Sequence, residues 1–361
     1  MKMRKIVCSF MISVVCFVTA ISGVSATSYD TSKINAAYSK VVEYYKNNNN
    51  LNNADKILAG ESLGLEAESN QFDTSSADLS STSLSKKIVT EVLLGVDPTE
   101  DKETLESQID ENGNVEGSWG TSSDVWTLYA LYVTSSEKTN LIANKLNDEL
   151  AASSVCGYEW GGTYYADYDT TGWVIEGLAV VNKEKYATTI NKAIDYIKNN
   201  TTMTTTGWVT ADNVDTQSQV LEGMFAYDTN SLLNDSYTIH PIDCLLNTQL
   251  SDGSFPSGYN AEYTTAEVAK TLGTYKNGSV FEKAKKAYDK MMNPEQPDNT
   301  KPAQPTDTKK DSQSTNKVET TNQKTTSVKT GDETNVVIFV SLSMVSGGLF
   351  LVLRKEYERV H

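Results

Sequence analysis

The chain has 361 residues, 39% of them hydrophobic and 22% charged, which suffices for a buried core in one or two domains and excludes wholesale disorder. Its 31 Lys and Arg against 47 Asp and Glu give a formal charge of -16, which would repel a phosphate backbone and excludes nucleic acid as a partner. With two histidines, His240 and His361, and four cysteines, a multi-imidazole metal centre and a disulfide-scaffolded fold are excluded as well.

Residues 1–26 open with Lys2, Arg4 and Lys5, continue as an apolar run from Ile6 to Ile21 and end Val24-Ser25-Ala26. That order predicts a secretion signal cut after Ala26. Its removal takes Cys8 and Cys16 with it, so a bridge between Cys156 and Cys244 is the one disulfide left to form. Losing three basic residues also makes the exported body more acidic than the whole chain.

Residues 27–292 carry an internal repeat. The segments beginning at Ser122, Asp169, Asp215 and Tyr263 align without gaps, and their first residues are 47, 46 and 48 apart. The first three open on Ser or Asp, whose side chain can accept from free helix-start amides, and all four run on with apolar residues at helical spacing. Before them lie Gly117-Ser118-Trp119, Gly157-Tyr158-Glu159-Trp160, Gly207-Trp208 and Gly253-Ser254-Phe255, where glycine turns the chain and an aromatic ring plugs the junction. Further helical stretches, such as Ile190 to Ile197 and Ile242 to Leu246, precede these turns. Two shorter segments, Asp55 to Gly64 and Leu84 to Pro98, extend the series to six hairpins. A hairpin buries one face only by stacking on its neighbours, so six predict an all-α fold closing into an α/α toroid. An open superhelix is the competing geometry.

Residues 293–329 hold Pro294, Pro297, Pro302 and Pro305 among many Thr, Lys and Gln, with no aromatic residue, and are read as a disordered stalk. Residues 330–361 include an apolar run from Val336 to Leu353 followed by Arg354-Lys355, which predicts a single transmembrane helix with a cytoplasmic end. Ser327-Val328-Lys329-Thr330-Gly331 ahead of that run resembles the sortase cell-wall sorting signal of Gram-positive bacteria. Thr330 and Gly331 match its cleavage pair, while Ser327 and Val328 replace Leu and Pro. A simple membrane anchor is the alternative. Either way the body faces outward from the bacterial cell surface.

Over about residues 33–292 the repeats resemble the terpenoid cyclase and protein prenyltransferase toroid superfamily. Gln249-Leu250-Ser251-Asp252-Gly253-Ser254-Phe255 is similar to that family's Gln-x(2-5)-Gly-x-Trp junction, with Phe for Trp. Ile88 to Pro98 is similar to a phrase of its secreted bacterial members. The resemblance implies the fold and leaves the activity open, because one fold hosts unrelated functions.

Asp167-Tyr168-Asp169-Thr170-Thr171-Gly172 resembles the Asp-x-Asp-Asp-Thr-Ala acid of squalene-type cyclases, which implies Asp169 as the proton donor beside Asp167 if the chain is an enzyme. Thr170 stands where the second adjacent carboxylate belongs, and helix-start capping explains both aspartates. His240, Asp243 and Cys244 fall within five residues instead of converging from separate hairpins, and no Asp-Asp-x-x-Asp run holds a diphosphate, so no metal and no cofactor is expected. Cys156-Gly157-Tyr158-Glu159 lacks the Gln of a thioester. Glu176 and Glu222 recur at one repeat position and form a candidate pair for glycan hydrolysis, although recurrence favours a packing role. Trp119, Trp160, Trp173 and Trp208, with Tyr164 and Tyr165, are expected to gather at one end of the ring. Such a mouth suits an apolar molecule, a glycan or a peptide, neutral or cationic. The leading expectation is a non-catalytic binding or adhesion domain at the cell surface; a terpene-type cyclase and a glycan-active enzyme are the alternatives.

Overall fold

The computed structural model describes residues 28–48, 51–68, 80–200, 214–237 and 239–294. Ala26, Trp208, the stalk from 295 onward, Thr330, Gly331 and the C-terminal apolar run lie outside the described residues. Among those described the fold is all-α: eleven helices and one two-stranded sheet.

In chain order the helices are α1 (Thr31–Asn47), α2 (Ala54–Ser62), α3 (Ser81–Leu93), α4 (Thr99–Ser107), α5 (Thr121–Val133) and α6 (Thr139–Ser153). The strands β1 (Gly157–Trp160) and β2 (Thr163–Ala166) follow, then α7 (Tyr168–Asn200), α8 (Val214–Asn234), α9 (Pro241–Leu246), α10 (Ala261–Asn277) and α11 (Val280–Met292). Short polar side chains start many of them: Asp30, Asn53, Ser80, Asn260 and Ser279 each accept from a backbone amide of the first turn. α7 and α8 each break once, at Asn182 and Asp228, where extended φ/ψ angles interrupt the helix. Both side chains then cap the second half, accepting from Lys185 N at 2.9 Å and Ser231 N at 3.0 Å. Each is thus a helical hairpin with almost no loop.

All six predicted repeat segments form helices: α2, α3, α5, α10 and the first halves of α7 and α8. Their packing runs in cyclic order, α2 on α3, α3 on α5, α5 on α7, α7 on α8, α8 on α10, and α10 back on α2. Contacts between successive repeats keep an offset close to the repeat length. Tyr129 meets Glu176, 47 positions on, and Gln219 meets Glu267, 48 on, so these helices run parallel and start at the same end. Where α7 crosses α8 the backbones touch: a Cβ on Gly172 would sit 2.4 Å from Gln219 O, and one on Gly223 would sit 2.3 Å from Gly172 O. α11 lies across the opposite end, its Phe281 ring stacked on Tyr129 at 3.6 Å and its Lys283 paired with Glu61 at 2.6 Å.

The one departure from a purely helical repeat is the β1–β2 hairpin, where a simple glycine-turned junction is predicted. Gly161 and Gly162 both take positive φ, 57° and 79°, which is the geometry of a tight two-residue hairpin turn, and Trp160 pairs with Thr163 across it. Cys156 and Cys244 are separate buried thiols, so the disulfide left open by the sequence is not formed.

Candidate functional site

Because the repeat helices share one starting end, the loops that feed them share it too. Trp119 precedes α5, Tyr158, Tyr164 and Tyr165 sit on the hairpin before α7, and Tyr259 precedes α10. These five rings are between 44% and 66% exposed. Apart from Leu250, in the same loop as Tyr259, and Met292 of α11, they are the exposed large hydrophobic side chains among the described residues. Tyr158 and Tyr165 stack at 5.6 Å on one face of the hairpin, and the Tyr164 hydroxyl donates to Val155 O at 2.8 Å. This end thus presents one stacked tyrosine pair on the hairpin, with Trp119 and Tyr259 exposed on two further loops.

Of the rings named from the sequence, Trp119, Tyr164 and Tyr165 are exposed on the loops before α5 and α7. Trp173 does not join them: it is half-buried, edge-on to Trp126 at 6.0 Å. Its repeat position faces inward, as that of Trp126 does. The backbone of Trp160 belongs to the hairpin turn. Tyr158 and Tyr259 were missed as site residues, although each follows a glycine in a junction, as Gly157-Tyr158 and Gly258-Tyr259.

The two candidate acids have different roles. α7 starts at Tyr168, earlier than the aligned repeat suggests, so Asp167 is the cap: its Oδ1 accepts from Thr170 N at 3.0 Å and its Oδ2 from the Thr170 hydroxyl at 2.8 Å. Asp169 is half-buried inside the first turn and reaches the neighbouring repeat, where it hydrogen-bonds Thr216. Burial, with the charge of Asp167 close by, pushes its carboxyl up to about 7. Asp215 holds the equivalent place on α8 and accepts from the Tyr259 hydroxyl through Oδ2. The shared cap role expected for Asp169 and Asp215 is thus replaced by contacts between repeats.

Deeper in, the inward positions carry a polar network. Glu176 accepts from Ser279 Oγ at 2.7 Å through Oε1 and from the Tyr129 hydroxyl at 3.3 Å through Oε2. Burial pushes its carboxyl up to about 7, against the pull of Ser279 and Lys270. Lys270 Nζ stands 3.1 Å from Glu267 Oε2 and 3.8 Å from Glu222 Oε2, and all three side chains are buried. Burial works against the charge on Lys270, but the surrounding carboxylates of Glu222, Glu267 and Glu176 outweigh it and hold the ammonium protonated. Burial drives Glu222 well above the usual carboxylate range, against the pull of Lys270. Lys86 Nζ lies 4.5 Å over the Trp126 ring and pairs with Asp55 at 2.9 Å.

These directions set a pH dependence. Asp169, Glu176 and Glu91, the last raised to about 8 by burial and Asp101, bind protons more tightly folded than unfolded. Their stabilising effect is complete below the unfolded carboxylate range and is lost as pH rises through about 7 to 8. Thermal melts are expected to show lower stability at about pH 8 than at about pH 5.5, by on the order of 2 kcal/mol. Equal or higher stability at the alkaline value contradicts this burial.

The remaining motifs are structural. His240 Nδ1 accepts from Ile242 N at 3.2 Å and starts α9, while Asp243 accepts from the Tyr29 hydroxyl at 2.6 Å and from Lys33 at 2.9 Å. No group of three His, Cys, Asp or Glu side chains among the described residues converges to hold a metal ion. Burial pushes the Cys156 thiol up to about 12, which leaves it un-ionised and inert. No helix among the described residues is long and apolar enough to cross a membrane. Comparison with family models, with curated proteins and with solved structures gives no match.

Proposed function

We propose that the chain is a surface-displayed recognition domain that binds its ligand without transforming it. In this reading residues 27–292 are an α/α toroid of about six helical hairpins, exported after cleavage at Ala26. The 293–329 stalk carries it outward, and residues 330–361 hold it to the cell surface, through sortase transfer at Thr330–Gly331 to wall peptidoglycan or through a membrane helix. The cyclic packing of six parallel helices supports the toroid.

The observation that carries recognition is the aromatic surface at the helix-start end: Trp119, Tyr158, Tyr164, Tyr165 and Tyr259. Flat rings with polar rims stack on sugar faces and apolar chains, so a glycan, a peptide or an apolar molecule fits there. Asp169 and Asp215 add negative charge beside it and favour neutral or cationic ligands.

The interior supports binding without chemistry. Burial holds the Asp169 carboxyl protonated, as an acid that protonates a carbon–carbon double bond requires, but Thr170 stands where the adjacent carboxylate that poises it belongs. Glu176 has both oxygens engaged, and Glu222 sits beside Lys270, so neither is free to act on a glycosidic bond.

The test is to incubate the purified chain with panels of wall polysaccharides, peptides and polyenes and to measure retention and product together. Retention of one class with no new product is expected. Turnover of a polyene that disappears in Asp169→Asn, or release of reducing ends that disappears in Glu176→Gln, would overturn the proposal.

A further inference from the structure

One face inside the helices has hydrogen-bond acceptors that no donor among the described residues meets. Asp215, Gln219 and Glu222 lie at i, i+4 and i+7 of α8 and so share one face, and Glu267 of α10 meets that face. None of the four is more than 3% exposed. Yet among the described residues Asp215 Oδ1, Gln219 Oε1, Glu222 Oε1 and Glu267 Oε1 have no hydrogen-bond partner.

Several nearby donors are spent elsewhere. The Tyr259 hydroxyl goes to Asp215 Oδ2, and Gln219 Nε2 and Lys270 Nζ both go to Glu267 Oε2, each at 3.1 Å. The Thr264 hydroxyl beside Asp215 donates to Asn260 O at 3.1 Å. Each buried acceptor left unmet disfavours the fold by about 1–3 kcal/mol. What completes this face must bring several N–H or O–H groups, and next to Asp215 and Glu267 it is favoured by positive charge.

We propose that this face binds the ammonium head of a small aliphatic amine, which enters at the helix-start end beside Tyr259. An ammonium carries three N–H donors, and Asp215, Gln219 and Glu267 each leave one oxygen free. Glu222 lies about 10 Å further along α8 than Asp215, one residue rising about 1.5 Å, so an amine chain with a second donor reaches toward it. Tyr259 is exposed while its hydroxyl is bonded to Asp215, so it links the surface to this face. This site lies inside the helices and is separate from the outward aromatic rings proposed for recognition.

The test measures the melting temperature and binding heat of the intact chain with n-butylamine, with n-butanol as the uncharged counterpart and with tetramethylammonium as a cation lacking N–H donors. Saturable stabilisation by butylamine alone is expected. Gln219→Met, which removes the free oxygen at similar volume together with the amide donor to Glu267, is expected to weaken it about tenfold and to lower the unliganded melt, so affinities are compared at a temperature where both proteins are folded. Asp215→Asn gives a second reading of the same loss. No response to butylamine, an equal response to butanol or tetramethylammonium, or wild-type affinity in Gln219→Met overturns the proposal. The wild-type comparison of the three probes decides even where a variant fails to fold. Retention of wall ligands is a separate readout, so failure here leaves the recognition proposal distinguishable.

Discussion

Replacing Lys270 with methionine is expected to cost the fold about 3–5 kcal/mol, the range seen when one partner of a buried ion pair is removed and the other is left. Lys270 comes from α10 and reaches Glu267 on its own helix and Glu222 on α8, while Glu176 on α7 also feels its charge. Methionine keeps the length of the side chain, so the loss reports charge more than volume. Glu267 would then be a buried carboxylate with the amide of Gln219 as its remaining hydrogen-bond donor. Two further results follow. The variant loses more stability on going from about pH 5.5 to about pH 8 than the wild type does, because its uncompensated carboxyls stay protonated only at the lower value. Adding Glu267→Gln to Lys270→Met removes the stranded charge and recovers part of the loss. Chemical denaturation of Lys270→Met, Glu267→Gln and the double variant measures this cycle, and a Lys270→Met cost below about 1 kcal/mol rules out the network as a stabilising unit.

Gly223→Ala is expected to destabilise by about 2–3 kcal/mol or more, opposite in sign to the gain of about 1 kcal/mol that alanine brings at a free helix position. The new methyl would meet Gly172 O at 2.3 Å, and backbone cannot move aside as a flexible side chain does. Gly172→Ala meets Gln219 O at 2.4 Å from the other side and is expected to behave alike. Gly258, in the loop before α10, has nothing within 4 Å of an added Cβ, so Gly258→Ala should change stability by less than about 0.5 kcal/mol. A stabilised Gly223→Ala variant would mean that α7 and α8 do not touch there.

The helices were legible because local and repeating signals agree. The segments opening at Asp169 and Asp215 share a spacing, a Thr at the next position and apolar residues at helical intervals, and each signal favours the same helix start. The hairpin escaped notice because the strand residues of β1 and β2 are few, and the two glycines that turn them resemble those of any loop. Glu176 and Glu222 could be seen to recur, but not what they meet. In the same repeat position α5 has Tyr129 and α10 has Lys270, so the partners differ from one repeat to the next and packing alone brings them together. The covering of one end by α11 was not legible either. It depends on Phe281 finding Tyr129, 152 positions earlier, and no periodicity carries that contact.

Asp169 shows how a shift of two residues changes a role. A helix beginning at Thr170 would make Asp169 the cap; one beginning at Tyr168 makes Asp167 the cap and turns Asp169 toward Thr216. Trp173 shows the complementary case, in which a helix-start aromatic counted toward the mouth belongs to an inward position packed on Trp126.

The most direct measurement is the affinity of the intact chain and of its Trp119→Ala, Tyr165→Ala double variant for whichever ligand class the wild type retains. Both rings are exposed, so the melting temperature is expected to hold while binding falls at least about tenfold. Equal binding by the two proteins would contradict recognition through the helix-start end.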